Sequence, residues 1–225
     1  MGSIRQTIRT SLLLLGSMRR TYPISVGFGR EEGTPIDRYY IERFLTKNAD
    51  AIRGRVLEVG DREYTTRFGT DVSQSDVVNV LEGAADTTIL ADLSNCPQIP
   101  DGSFDCIILI QTLHYTYDMN ATVRELHRIL APGGCILCTV PGISQVSRYD
   151  MEHWGDRWRL TSLSATELFS TTFLPADVCV VTYGNTLASI CLLEGITAEK
   201  LRPRELEANH EDYQLVVAIR AVKQA

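Results

Sequence analysis

Four short apolar runs in the first half of the chain end in polar or acidic tips: Glu58-Val-Gly60, Leu81-Glu82-Gly83, Asp92-Leu93 and Gln111-Thr112-Leu-His114-Tyr115. Carboxylates at such tips can accept both hydroxyls of a ribose. A carboxylate or a backbone amide can read the edge of an adenine, and glycine lets backbone approach a ligand closely. Turns also favour Asp, Glu and Gly for conformational reasons, so any single tip has an ordinary explanation. Four in succession, one per apolar run, point to a nucleoside-binding pocket. Proton transfer would need a further group. His114 follows the most apolar run, and a free imidazole titrates near pH 6.5. It is the first candidate for a general base, with packing or an adenine contact as its ordinary alternatives. His153 is the second, in Asp150-Met-Glu-His-Trp-Gly-Asp-Arg-Trp158. That segment has no clear period and suits either a pocket lining or a surface flap docked by Trp154 and Trp158.

The elements that must position these residues alternate. A loop bearing Pro23 to Pro35 precedes a helix from Pro35 and Ile36, with Tyr40, Ile41, Phe44 and Leu45 on one face. Strands are expected at 55–59, 76–80, 88–91, 104–110, 135–140, 178–183 and 213–222. Phe104 to Ile110 is continuously apolar after Asp105, as a central parallel strand buried on both faces must be. Helical spacing covers 120–130, stopped by Ala-Pro-Gly-Gly134, then 162–169 and 187–193. The pattern predicts an α/β fold: a doubly wound, mostly parallel seven-stranded Rossmann-like sheet with helices on both faces. Ligands of such sheets bind beyond the carboxyl ends of the strands, where the strand order reverses. The four tips belong there.

The chain has 225 residues, 44% of them apolar and 22% charged, with a net charge of −6. Those figures suit one globular unit and argue against a nucleic-acid surface. Residues 1–52 read as an N-terminal helical extension or lid and residues 53–225 as the α/β domain. Leu12 to Leu15, flanked by arginines, form too short an apolar core for a signal peptide and suit an amphipathic helix. Neither stable membrane insertion nor a lipid anchor is expected. The six cysteines lie mostly in apolar runs, which favours a reducing, cytoplasmic compartment. Cys135 and Cys138 form a C-x-x-C, but in a strand residues three apart face opposite ways, so no metal site is expected. A homodimer is allowed for but not required.

Five segments carry a family resemblance: Arg55-Val-Leu-Glu-Val-Gly60, Ile89-Leu-Ala-Asp-Leu93, Ile99-Pro-Asp-Gly-Ser-Phe-Asp-Cys-Ile-Ile108, Glu125-Leu-His-Arg-Ile-Leu-Ala-Pro-Gly-Gly134 and Trp158-Arg-Leu-Thr161. From Ile36 to Phe173 the chain resembles the class I S-adenosylmethionine-dependent methyltransferases. The resemblance implies S-adenosyl-L-methionine as cofactor. Cofactor contacts are then expected from Tyr40, Glu58, Gly60, Asp61, Leu81, Glu82, Asp92, Leu93, Gln111 and Thr112. It implies methyl transfer to an oxygen or nitrogen of a small molecule, sugar-related or a secondary metabolite, with His114 or His153 as base. One departure stands out. The family's first motif runs Glu-x-Gly-x-Gly-x-Gly, whereas Arg62 and Tyr64 occupy the second and third glycine positions here. Either the loop takes another path, with Asp61 toward the cofactor's amino group, or the site has been lost. In the second case the chain would be a non-catalytic partner subunit or a repurposed cofactor-binding protein.

Overall fold

Alternation within the central strands gives a sheet that is apolar on both faces. The computed structural model describes residues 19–83 and 86–225. Its sheet comprises β1 (Gly54–Val59), β2 (Val72–Asn79), β3 (Ile89–Leu90), β4 (Phe104–Ile110), β5 (Leu130–Pro141), β6 (Val178–Tyr183) and β7 (Val216–Val222). The seven strands are ordered β3-β2-β1-β4-β5-β7-β6. Strands β1 to β5 pair in parallel, and β7 runs antiparallel to both β5 and β6. The order reverses between β1 and β4, which sets the switch point at their carboxyl ends.

Two cores follow from the period-2 alternation. Leu57, Ile107, Leu109, Ile136 and Cys138 face one cluster, under α3 (Met119–Ile129) and α5 (Ser162–Ser170). Val56, Cys106, Ile108, Cys135 and Leu137 face the other, under α1 (Ile36–Lys47), α6 (Thr186–Glu194) and α7 (Pro203–Glu207). Each fully buried Ile or Leu in these layers contributes about 1.5–3 kcal/mol of transfer free energy. Cys135 and Cys138 thus lie on opposite faces, as a strand requires. Helix α3 shows how local sequence sets an element. Val123, Leu126 and Ile129 line its buried face, and the Asp118 side chain accepts the Ala121 N–H at 2.9 Å as an N-cap.

Several boundaries differ from expectation. β2 starts at Val72, because its polar first half pairs with β1 at the exposed end of the sheet, and it stops at Asn79. β7 starts at Val216. The register jumps from Phe104–Leu130 to Cys106–Cys135, so 131–134 loop out of a strand that already begins at Leu130. Helices α2 (Glu63–Phe68), α4 (Arg148–His153) and α7 occupy segments where no period was visible. Among the described residues no helix is long and apolar enough to cross a membrane. The helix expected around Leu12 to Leu15 lies outside the described residues.

Candidate functional site

Strand β1 delivers Glu58 and Gly60 to the switch point. Glu58 is only 2% exposed, and both its oxygens are occupied. It accepts the Tyr64 N–H at 2.9 Å, the Thr65 N–H at 2.7 Å and the Thr65 hydroxyl at 2.7 Å. Those amides are the second and third of α2, which have no acceptor inside the helix. Arg62, just before α2, offers no capping oxygen, so Glu58 caps the helix from six residues upstream. Burial pushes the Glu58 carboxyl above its ordinary value, against the pull of its hydrogen bonds. Glu58 was expected to face the ligand. It borders the site, but its carboxylate serves α2.

Gly60 adopts φ +93°, and a Cβ built there would meet nothing within 4 Å. Asp61 Oδ1 accepts the Glu63 N–H at 2.8 Å, closing the turn into α2. Arg62 swings outward to the Asp86 carbonyl at 3.3 Å. The Tyr64 ring stacks on Phe68, and its hydroxyl accepts from Arg38. Neither side chain that replaces a glycine fills the space over Gly60.

Above this loop lies a two-lobed cleft. The larger lobe, about 620 Å³, sits on the tips of β1, β2 and β3, against Gly60, Asn79, Ala91, Asp92 and Leu93. The smaller, about 320 Å³, lies between α1 and the tips of β1 and β4, against Asp37, Arg38, Asp61, Gln111 and Asp150. Val59, Tyr115 and Trp154 border both lobes, so the two adjoin. Asp92 Oδ1 accepts from the Ser94 N–H and hydroxyl, each at 2.8 Å, which fixes its carboxylate at the larger lobe. Thr112 borders that lobe, its hydroxyl donating to the Ile110 carbonyl at 2.9 Å. Gln111 holds φ +46°, a strained backbone for a residue with a side chain, and its buried Nε2 has no partner.

The flap between β5 and α5 closes one side. Asp156 anchors it, accepting from Arg159 at 2.8 Å and from the Ser147 N–H at 3.0 Å. The Arg157 N–H donates to the His114 carbonyl at 3.2 Å, and Trp158 Nε1 donates to the Thr116 carbonyl at 3.0 Å. These ties hold Asp150, Trp154 and Arg157 at the cleft.

The structure gathers Gly60, Asp92, Leu93, Thr112 and His153 at the larger lobe, and Glu58, Asp61 and Gln111 at the smaller. Four expected residues lie elsewhere. Tyr40 packs on the sheet, stacked on Tyr183, with its hydroxyl donating to the Leu206 carbonyl at 2.9 Å. Leu81 and Glu82 come after the chain has bent away from β2, and Leu81 is 57% exposed. The β2 contribution comes instead from Asn79 and Val80. Asn79 Nδ2 donates to the Gly60 carbonyl at 3.1 Å and the Thr87 hydroxyl at 2.7 Å, tying two tips together. His114 borders neither lobe. It is 4% exposed, its Nε2 stands 3.8 Å from Asp156 Oδ1, and its Nδ1 is unpartnered. Burial drives its pKa down to about 4, outweighing the upward pull of Asp156. It is therefore a neutral imidazole at pH 7, away from the cleft. His153 stays at the rim, stacked on Tyr149 and bonded through Nδ1 to the Tyr149 carbonyl at 2.8 Å. Asn79, Tyr115 and Arg157 were not singled out. Tyr115 had a signal as the last residue of the β4 tip, Arg157 as part of the 150–158 segment read as a pocket lining or flap, and Asn79 had none.

Residues 53–138 match the family model described as a methyltransferase domain. No curated protein matches the chain in sequence. Among solved structures, a SAM-dependent methyltransferase from Archaeoglobus fulgidus is similar at a TM-score of 0.54 and 14% identity, over 83% of this chain and 94% of that one. The [4+2]-cyclase SpnF is similar at a TM-score of 0.54 and 16% identity, over 86% of this chain and 84% of that one. Phosphoethanolamine N-methyltransferase 2 of Haemonchus contortus, in complex with S-adenosyl-L-methionine, is similar at a TM-score of 0.53 and 16% identity, over 84% of this chain and 57% of that one. At these identities the likeness is one of fold.

Proposed function

We propose, from the premise that residues 53–138 form a class I S-adenosylmethionine-dependent methyltransferase domain, that the chain methylates an oxygen or nitrogen of a small molecule. The observation that carries this reading is the two-lobed cleft, whose larger lobe meets the strand tips and whose smaller lobe is charged. The residues present fit the cofactor. Gly60 leaves open space where a Cβ would stand, and the unpartnered Gln111 amide borders the adjoining lobe. Asp92, Leu93 and Asn79 would hold the nucleoside, and Asp61 and Gln111 the amino-acid portion.

S-adenosylmethionine, when bound, supplies a methyl already activated by its sulfonium. The chain's task is then to bind, align and exclude water, and alignment is worth about 7–11 kcal/mol. Tyr115 and Trp154, bordering both lobes, would shield the junction. A base is needed only for an acceptor that must lose a proton. His153 at the rim is the histidine in reach, and His114, buried 3.8 Å from Asp156, borders neither lobe. The acidic chain makes a nucleic-acid acceptor a poor fit. The free thiols, five of the six buried, suit a reducing cytoplasm.

Calorimetric titration with S-adenosylmethionine and S-adenosylhomocysteine tests the reading. Micromolar binding of both is expected, and silence at millimolar ligand would refute it. The one-glycine loop and the likeness to a [4+2]-cyclase favour a second reading, in which the site serves another reaction or a partner subunit. It predicts S-adenosylhomocysteine binding with no methyl transfer to any small-molecule acceptor.

A further inference from the structure

The larger lobe has two sides. The strand tips, with Gly60, Asn79, Asp92 and Leu93, take the adenosine in the reading above. The other side is made by the flap and the loop after β4, with Tyr117, His153, Trp154 and Arg157. His153 is fixed in one tautomer there. Its Nδ1 lies 2.8 Å from the Tyr149 carbonyl, which has no proton to give. In the neutral ring Nδ1 therefore carries the hydrogen and Nε2 the lone pair. Stacking on Tyr149, with 4.1 Å between ring centroids and 28° between planes, holds the ring's orientation. Nε2 itself makes no hydrogen bond or ion pair among the described residues.

Arg157 supplies a cation on the same side. All its side-chain hydrogen bonds leave from Nη1, to the carbonyls of Tyr115, Trp154 at 2.7 Å and Gly155 at 3.2 Å. Its Nε and Nη2 donate to no group, and no carboxylate pairs with the guanidinium among the described residues. A lone-pair nitrogen near an unpaired guanidinium suits an acceptor that gives up a proton and carries negative charge until it is methylated. An ammonium would face Arg157 as a like charge. An ordinary alcohol is too weak an acid for an imidazole to ionise, whereas a phenol, titrating near pH 10 as tyrosine does, is within its range. A phenol's ring also suits the walls formed by Tyr117 and Trp154.

We propose that the acceptor is a phenol bound at the flap side of the larger lobe, with His153 Nε2 as its base and Arg157 as the countercharge of the phenolate. The inference rests on the methyl-transfer reading above and narrows it to oxygen. The phenol gives its proton to His153 Nε2. The oxygen then forms the new O–C bond while the S–C bond breaks with its electron pair returning to sulfur. The products are the aryl methyl ether and the neutral thioether, and His153, exposed at the rim, passes the proton to water.

The test uses the full chain with saturating S-adenosylhomocysteine and three probes of similar size: 4-ethylphenol, its isomer 4-methylbenzyl alcohol, and 4-methylbenzylamine. Calorimetry should show the phenol binding at least tenfold more tightly than the other two. Its phenolate difference band, followed against pH, should place ionisation in the complex about one pH unit or more below that of the free phenol. Arg157→Gln should remove both effects, and Arg157→Lys, which keeps the charge, should retain most of them. His153→Gln should leave phenol affinity within threefold. With S-adenosylmethionine, that variant should methylate 4-ethylphenol about 10²-fold or more slowly at pH 7. The deficit should shrink as pH approaches about 10, where the phenol ionises unaided. Equal or tighter binding of the alcohol or the amine overturns the proposal. So does a phenol that shows no binding at about 10 mM, an unshifted ionisation, or a His153→Gln deficit that is the same at every pH. Failure of S-adenosylhomocysteine to bind would instead remove the methyl-transfer reading, and the phenol titration without it would still score the site.

Discussion

Gly60 adopts a backbone conformation that side chains disfavour, just past β1, where the chain borders the larger lobe. Gly60→Ala should cost about 1 kcal/mol of stability from the positive φ alone. Its methyl would project into open space rather than into protein, so the larger effect belongs to the ligand. S-adenosylhomocysteine affinity should fall by roughly tenfold or more, about 1.4 kcal/mol. Urea denaturation and calorimetry separate the two, and an unchanged affinity would place the ligand elsewhere. His114 gives a pH prediction. Its pKa is near 4 in the folded chain against 6.5 for the free side chain. Between those values the unfolded chain binds a proton that the native chain refuses, so stability is full above pH 6.5 and declines as pH falls toward 4. The loss is about 3 kcal/mol at most. His114→Gln should flatten that slope in urea midpoints measured from pH 7 to pH 4.5. That Gly60, Asp92, Leu93 and Thr112 stand together at one cleft was legible because strand ends place residues by counting. Tyr40 was misread because one helical face serves the sheet, and its stripe looks the same whether it covers a ligand or a core.

At the scale of elements, the six-residue α2 follows directly on the turn at Gly60 and Asp61. Its sequence gives no periodic signal, and its cap lies on β1 rather than beside it. Glu58→Ala should therefore cost about 2 kcal/mol, combining a lost cap with buried N–H groups left unpaired. Cofactor affinity should fall with it, because α2 carries the turn from Gly60. Glu58→Gln keeps an acceptor and should recover a good part of the stability in the same denaturation assay. Full stability of the alanine variant would show that α2 needs no cap from β1. The flap was half-legible in the same way. Its Trp154 and Trp158 suggested a docked segment, but the anchoring by Asp156 and the ties to the His114 and Thr116 carbonyls are contacts that no local pattern encodes. The shift from Leu81 and Glu82 to Asn79 and Val80 arose from a strand that begins in polar residues and so ends earlier than its apolar half suggests.

For the whole molecule, the architecture followed from strand-length apolar runs and the helices between them. Runs buried on both faces can be satisfied only inside a layered sheet, so composition and order largely determined it. What stayed hidden was how charge is apportioned inside the cleft, since pairing is a property of the folded chain. The central claim is that a loop with one glycine admits S-adenosylmethionine. A crystal structure of the full chain grown with S-adenosylhomocysteine tests this most directly. The account predicts the adenosine in the larger lobe, against Gly60, Asn79, Asp92 and Leu93, with the amino-acid end reaching past Tyr115 toward Gln111. A ligand bound away from the β1 and β2 tips, or a cleft closed by a rearranged α2 that excludes it, would contradict the account.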